Sequence, residues 1–158
     1  MAIEIEHKFL LANDDWRGCV QQSVKYKQGY LSSQPTSSIR VRIADNQAWL
    51  NIKSATIGTQ RLEFEYKIPL DDAEEIIASL CNKPLIEKTR HFVPNDGNLW
   101  EIDEFEGDNK GLIIAEIELL EVDIVFTKPP WLGAEVTHEL RYYNNNLANN
   151  PYSKWLIK

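Results

Sequence analysis

Acidic and basic side chains recur along this chain in same-sign doublets spaced two residues apart. Glu4 and Glu6 open the series in EIEHK, with Lys8 following at the same spacing. Arg40 and Arg42 in SIRVRIA, Glu63 and Glu65 in QRLEFEYKI, Lys88 and Arg90 in LIEKTRHFV, and Glu116 and Glu118 in LIIAEIELL continue it. In extended backbone, residues two apart point to one face, so each doublet sets like charges side by side with Ile, Val, Leu or Phe opposite. Two unit charges about 7 Å apart at an effective dielectric of about 20 repel by roughly 2 kcal/mol. A single strand of this kind reads as an ordinary half-buried strand with its polar face in water. Repetition across five segments points elsewhere, because outer faces commonly mix both signs with Ser and Thr. A bound partner would offset the repulsion. Paired carboxylates are hard oxygen ligands suited to Mg²⁺ or Mn²⁺. Arg and Lys on facing strands suit the oxygens of a polyphosphate. One cavity holding both would take a metal-bound, phosphate-rich anion.

The doublets lie in alternating segments that predict eight strands, at 2–11, 23–31, 38–44, 47–53, 60–68, 85–93, 98–106 and 112–120. Asp45-Asn46, Pro94 through Gly97, and Gly107 through Gly111 supply hairpin connections. Helical patterning is confined to 71–81, with Asp71 as the expected N-cap, a short stretch from Asn13 to Gln21, and a segment around 133–147. Pro129-Pro130 breaks the chain before the last of these. The expected fold is mainly β (α+β): an eight-stranded antiparallel β-barrel or tunnel with a few flanking helices. A barrel of that size is just wide enough for a small ligand. Closure leaves no edges, so the chain is expected as a monomer, or as a homodimer joined through outer wall or helices.

A length of 158 residues suits one domain, here 1–158, and 43% hydrophobic with 26% charged residues is an ordinary globular composition. No apolar run approaches the roughly 18 residues of a membrane span, and MAIEIEHKF lacks a secretory pattern. Cys19 and Cys81 stand apart without metal-finger spacing, as expected of reduced thiols in a cytoplasmic protein. A net charge of −7 argues against nucleic-acid binding through a general basic surface, while leaving room for a local basic pocket. A Walker-type GxxxxGK[ST] loop is absent, and His91 and His138 show no ligand spacing. His7 faces away from the acids of its strand and reads as structural.

In order, EIEHK (4–8), QGYL (28–31), RVR (40–42), Lys53, RLEFE (61–65), EKTR (87–90), WEID (100–103) and AEIEL (115–119) resemble the CYTH superfamily, the triphosphate tunnel metalloenzymes. PPW followed by VTHELRYYNNNLA is similar to the ends of its short bacterial members, and the likeness covers about residues 1 to 148. The resemblance implies a charged tunnel, divalent metal (Mg²⁺ or Mn²⁺), and hydrolysis of a small triphosphate, first of all inorganic triphosphate. Thiamine or nucleoside triphosphates are alternative substrates, and class IV adenylate cyclases form another branch.

By motif, the resemblance implies that Glu4, Glu6, Glu116 and Glu118 hold metal, with Asp103 near a second metal position. Arg40, Arg42, Lys53, Lys88 and Arg90 would grip phosphates. Lys8 would contact the terminal phosphate or help deprotonate water, and Tyr30 would share in that proton transfer. Arg61, Glu63 and Glu65 are placed either beside the metal or behind the basic residues. Asn145 departs from the pattern, standing where relatives often carry a basic residue. No base-reading motif supports a cyclase. Retention of the whole ExExK set argues against a polyphosphate-binding module without catalysis.

Overall fold

The computed structural model describes residues 3–56 and 58–158. Ala2, included in the first expected strand, lies outside them. Eight strands form one antiparallel sheet that closes on itself: β1 (Ile3–Leu11), β2 (Gln22–Ser33), β3 (Ser37–Ala44), β4 (Gln47–Ser54), β5 (Gln60–Ile68), β6 (Ile86–Asn95), β7 (Asn98–Phe105) and β8 (Ile113–Glu118). Their order is β5-β4-β3-β2-β6-β7-β8-β1, and β1 returns to β5 through Ile3–Leu62, Glu4–Arg61 and Ile5–Gln60. The expected barrel is therefore present. Tight turns at Asp45 and at Asp96-Gly97 connect hairpins through residues with positive φ.

Closure decides which face of each strand is inside. On β1 the side chains of Glu4, Glu6 and Lys8 point inward, and those of Ile5 and Phe9 pack outward. The outward apolar faces are covered in two places. Phe9, Trp100, Ile102, Ala115 and Ile117 pack beneath Trp16 and Trp131, from the segments flanking the barrel. Val41 and Ala48 pack beneath Ala73 and Ile77 of α1 (Leu70–Ser79). One end of the interior is apolar: Tyr30, Ile86, Phe105 and Ile114 meet Leu147 and Trp155 of the C-terminal segment. The inward row of β6 thus runs from Ile86 in this plug to Lys88 and Arg90 in the polar region.

The helices differ from the sequence expectation. α1 begins at Leu70 with Pro69 at the N-cap position, so Asp71 and Asp72 lie in its first turn, and Cys81 falls beyond its end. Acids there still favour the helix N-terminus, through its partial positive charge. The 13–21 stretch yields only a 3-10 turn, Asp15–Cys19. The 133–147 segment is not one helix. It opens as a ninth strand, β9 (Leu132–Glu135), then a 3-10 turn at Leu140–Tyr142 and a short α2 (Asn144–Asn149). The cause is the edge of β1: β5 satisfies only its first residues, and β9 pairs with the remainder at Phe9–Glu135 and Leu11–Leu132. The backbone N–H of Val136 donates to the Lys8 carbonyl at 2.8 Å. An unpaired strand edge outweighed local helical patterning.

Candidate active site

The polar part of the interior is one cavity of about 280 Å³. Glu4, Glu6, Glu63, Glu65, Glu101, Glu116 and Glu118 line it together with Lys8, Arg40, Arg42, Lys53, Arg61, Lys88 and Arg90. Tyr26, Tyr30, Ser38, Phe92, Tyr143, Asn144 and Asn145 complete the wall. Register explains the convergence: Glu6 faces Glu118 across β1–β8, and Lys8 faces Glu116. Arg90 faces Asp103 across β6–β7, and Lys53 faces Glu63 across β4–β5.

Two groupings emerge. At the first, one oxygen each from Glu4, Glu6 and Glu118 lie within 4.8 Å of one another. Oxygens around an octahedral Mg²⁺ stand roughly 3.0 to 4.2 Å apart, so these three hard donors would close on such an ion with small side-chain shifts. Glu6 Oε1 supports the fit, being buried without a hydrogen bond although Lys8 Nζ stands 3.1 Å away. Glu4 is drawn aside by Arg61 at 2.7 Å and Lys53 at 3.4 Å. Burial alone would raise the Glu4 carboxyl, yet Lys53 and Arg61 hold it at about 2. Burial and the neighbouring Glu116 push Glu6 up. Burial, then Glu101, Glu4, Glu6 and Glu116, push Glu118 up to about 8.

That last shift has a measurable consequence. The upward shift means that metal-free Glu118 keeps its proton to higher pH than an ordinary glutamate, and a divalent ion must displace it. Raising the pH removes the proton and leaves crowded carboxylates, so binding tightens. Mn²⁺ affinity, read by electron paramagnetic resonance, is expected to rise roughly tenfold per pH unit between pH 6 and 8, with about one proton released. An affinity flat across that window would remove Glu118 from the ligand set.

The second grouping is basic. Asp103, fully buried, accepts from Arg90 Nε at 2.8 Å, Arg90 Nη2 at 2.9 Å and Lys88 Nζ at 2.7 Å. Asp103, which the motif implied near a second metal position, stands outside the three-carboxylate group and is engaged by cations instead. Both of its oxygens orient Lys88 and Arg90. Burial would raise its carboxyl, but Arg90 and Lys88 overcome this and lower it. Burial brings the Lys88 ammonium down to about 7, against the pull of Asp103 and with Arg90 and Arg40 crowding it. Asn144 Oδ1 accepts from Lys88 at 3.0 Å and from Gln28 at 3.2 Å. Arg40 and Arg42 lean on Asn51 and Glu65, while Arg42 Nε is buried without a partner among the described residues.

Glu116 and Lys8 join the two groupings. Lys8 Nζ lies 2.6 Å from Glu116 and is almost fully buried. Burial would lower the ammonium, but Glu116 and Glu6 push it up. Burial would raise Glu116, but Lys8, Arg90 and Lys88 hold it well below the usual carboxylate range. Lys8 is thus held as a cation, and this geometry suits contact with an anion rather than removal of a proton from water. Arg61 hydrogen-bonds Glu4 and Lys53 pairs with Glu63, so Arg61 and Glu63 stand beside the acidic group, whereas Glu65 stands behind Arg42 and Asn51.

All the other candidate residues named from sequence line this cavity. Wall residues not named from sequence include Glu101, Tyr143 and Asn144. Glu101 lies two residues before Asp103 on the same face and pairs with Arg90 at 2.5 Å. The doublet rule itself would have found it in WEID. Tyr143 carries no such signal, because it reaches the site only by the path of the C-terminal segment. His7 does face outward, its Nδ1–H donating to the Glu135 carboxylate at 2.7 Å.

The CYTH domain family model matches residues 2–152. An inorganic triphosphatase from Acetivibrio thermocellus is 45% identical over 155 residues, covering 98% of this chain and 99% of the relative. One from Nitrosomonas europaea is 36% identical over 151 residues, covering 92% and 96%. The solved structure of the inorganic triphosphatase NE1496 superposes with a TM-score of 0.68 at 34% identity, covering 94% of this chain and 95% of that one.

Proposed function

The chain belongs to the CYTH domain family, and from that premise we propose that it hydrolyses inorganic triphosphate to diphosphate and phosphate within its barrel. The observation that carries this reading is the opposition, inside one cavity, of a three-carboxylate group and a surrounding set of Arg and Lys side chains. A cavity of about 280 Å³ is ample for a small linear phosphate chain.

Glu4, Glu6 and Glu118, with Glu116 adjoining, would hold Mg²⁺ or Mn²⁺. When bound, such an ion neutralises phosphate charge and acidifies a coordinated water. Arg40, Arg42, Lys53, Lys88 and Arg90 bind phosphate oxygens and hold the chain in place. Lys8, kept positive by Glu116 and Glu6, contacts the terminal phosphoryl group. Water attacks the terminal phosphorus, its bond to the bridging oxygen breaks, and diphosphate departs. Charge spreading over the transferred phosphoryl oxygens is met by Arg90, Lys88 and Lys8 without reorganisation of solvent. Tyr30 places a hydroxyl in the cavity wall, where it can accept the proton lost by water while passing its own to the departing diphosphate oxygen. The 1–158 chain acts as one catalytic domain, working in the cytoplasm. No helix among the described residues is long and apolar enough to cross a membrane.

The test is a substrate panel of inorganic triphosphate, thiamine triphosphate, ATP and longer polyphosphate, each with and without divalent metal. Metal-stimulated release of phosphate is expected to be fastest from inorganic triphosphate. Cyclic AMP formed from ATP would instead assign the cavity to cyclisation, and metal-independent binding without turnover would assign it to a binding module.

A further inference from the structure

Resting on the triphosphatase reading, we infer that Tyr143 is a positioning residue whose ring face sets the two cations nearest the metal-binding carboxylates. The ring is buried in the cavity wall, with Lys8 Nζ 4.6 Å and the Arg61 guanidinium carbon 5.6 Å from its centroid. These two cations make the shortest contacts with the acidic group, ahead of Lys53 at 3.4 Å from Glu4. Lys8 reaches Glu6 at 3.1 Å and Glu116 at 2.6 Å, and Arg61 reaches Glu4 at 2.7 Å and Glu6 at 3.7 Å. Like charges converging on one small volume repel, and a π face offers negative potential to both without carrying a charge. A carboxylate in its place would add another competitor for the ions already there, and an aliphatic side chain would offer nothing.

The ring is held from behind. Its hydroxyl donates to the Thr137 carbonyl at 2.8 Å, and the Thr137 hydroxyl accepts the backbone N–H of Lys8 at 3.0 Å. Thr137 also donates to Glu135, which pairs with His7. The strand carrying Lys8 and the segment carrying Tyr143 are thereby fixed to each other through β9. Cation and ring cannot drift apart independently. On its far side Tyr143 lines a second cavity walled by Ser33, Ser37, Ser54, Thr56 and Asn146, so the ring also bounds the charged compartment.

The test compares Tyr143→Phe, Tyr143→Leu and a series of fluorinated phenylalanines at 143. The fluorinated rings keep volume while withdrawing the negative face. Tyr143→Phe is expected within about threefold of wild type in kcat. Tyr143→Leu is expected to lose about 30-fold in kcat with KM changed by less than about threefold, the scale of a desolvated cation–π contact. Activity along the fluorinated series is expected to fall stepwise at constant thermal midpoint, which a packing role would not produce. Mn²⁺ affinity of the metal-loaded binding site, measured without triphosphate, is expected to fall several-fold in Tyr143→Leu, because Lys8 and Arg61 then rest more fully on the carboxylates. Equal kcat and equal Mn²⁺ affinity in the Phe, Leu and pentafluoro variants would overturn the inference. Absence of hydrolysis by the wild type would overturn the triphosphatase reading alone, since the Mn²⁺ comparison still reads the ring.

Discussion

Glu6→Gln is expected to lower kcat/KM for inorganic triphosphate by about a thousandfold while leaving the metal-free protein as stable as wild type, or more so. Glu4→Gln is expected to lose comparable activity and stability as well. The two carboxylates share a strand face and the candidate metal-binding group, yet their protein partners differ. Glu6 is pushed up by burial and by Glu116, and one of its oxygens has no hydrogen bond, so a neutral isostere removes repulsion at little cost. Glu4 is held at about 2 against burial by Lys53 and Arg61. Its neutralisation removes the shortest acid contact of Arg61 and leaves Lys53 with Glu63 alone, a change costing about 3 kcal/mol. The common loss of activity follows from the metal, whose charge stabilisation of several kcal/mol corresponds to about three powers of ten in rate. Phosphate release and urea midpoints, both on metal-free and Mg²⁺-loaded protein, give the comparison. Parallel stability losses in the two variants would contradict this partition of roles.

Asp103→Asn is expected to lower stability by about 3 to 5 kcal/mol and to raise KM by at least about tenfold. The side chain is fully buried and satisfies both Lys88 and Arg90. Removing its charge deprives buried Lys88 of its carboxylate partner and leaves Arg90 to Glu101, and breaking a buried ion pair from one side is costly. The phosphate-binding geometry loosens with them. The pH dependence has a definite sign. The carboxyl is lowered in the folded protein, so its contribution is full above the unfolded carboxyl value near 4 and is lost as pH falls below it. Wild type should therefore lose midpoint steeply on acidification, and Asp103→Asn should have lost that share already at neutral pH. If Asp103 were a metal ligand, the variant would instead weaken Mn²⁺ binding first and keep most of its stability. Urea titration from pH 3 to 7 beside Mn²⁺ binding separates the two outcomes.

Much of the cavity is legible from spacing. Glu4, Glu6, Arg40, Arg42, Lys88, Arg90, Glu116 and Glu118 are recognisable because a strand places alternate residues on one face. Glu101 obeys the same rule and is recoverable by it. Asp103 is recognisable as an inward acid, but its partner is not: whether an acid meets a metal or a cation depends on the register of β6 against β7, where Arg90 falls opposite it. Tyr143 and Asn144 leave no trace in spacing, since the segment that brings them in is irregular and its course follows from the edge of β1. The same edge explains why 133–147 forms β9 and a short helix instead of a continuous one. Local propensity amounts to a few tenths of a kcal/mol per residue, and a row of unmet backbone hydrogen bonds outweighs it.

By itself the sequence determined the strands, their charged faces and the class of ligand those faces could hold, because period-two alternation is a property of extended backbone and needs no partner. Tertiary structure alone decided that the charged faces turn inward. β5 closes onto β1, α1 and the flanking segments cover much of the greasy outer wall while Leu62, Phe64 and Tyr66 of β5 stay exposed, and the C-terminal segment plugs one end. With apolar surface buried on the outside of the barrel wall, the charges are left to face one another across the interior, and only there are they close and dry enough to act together.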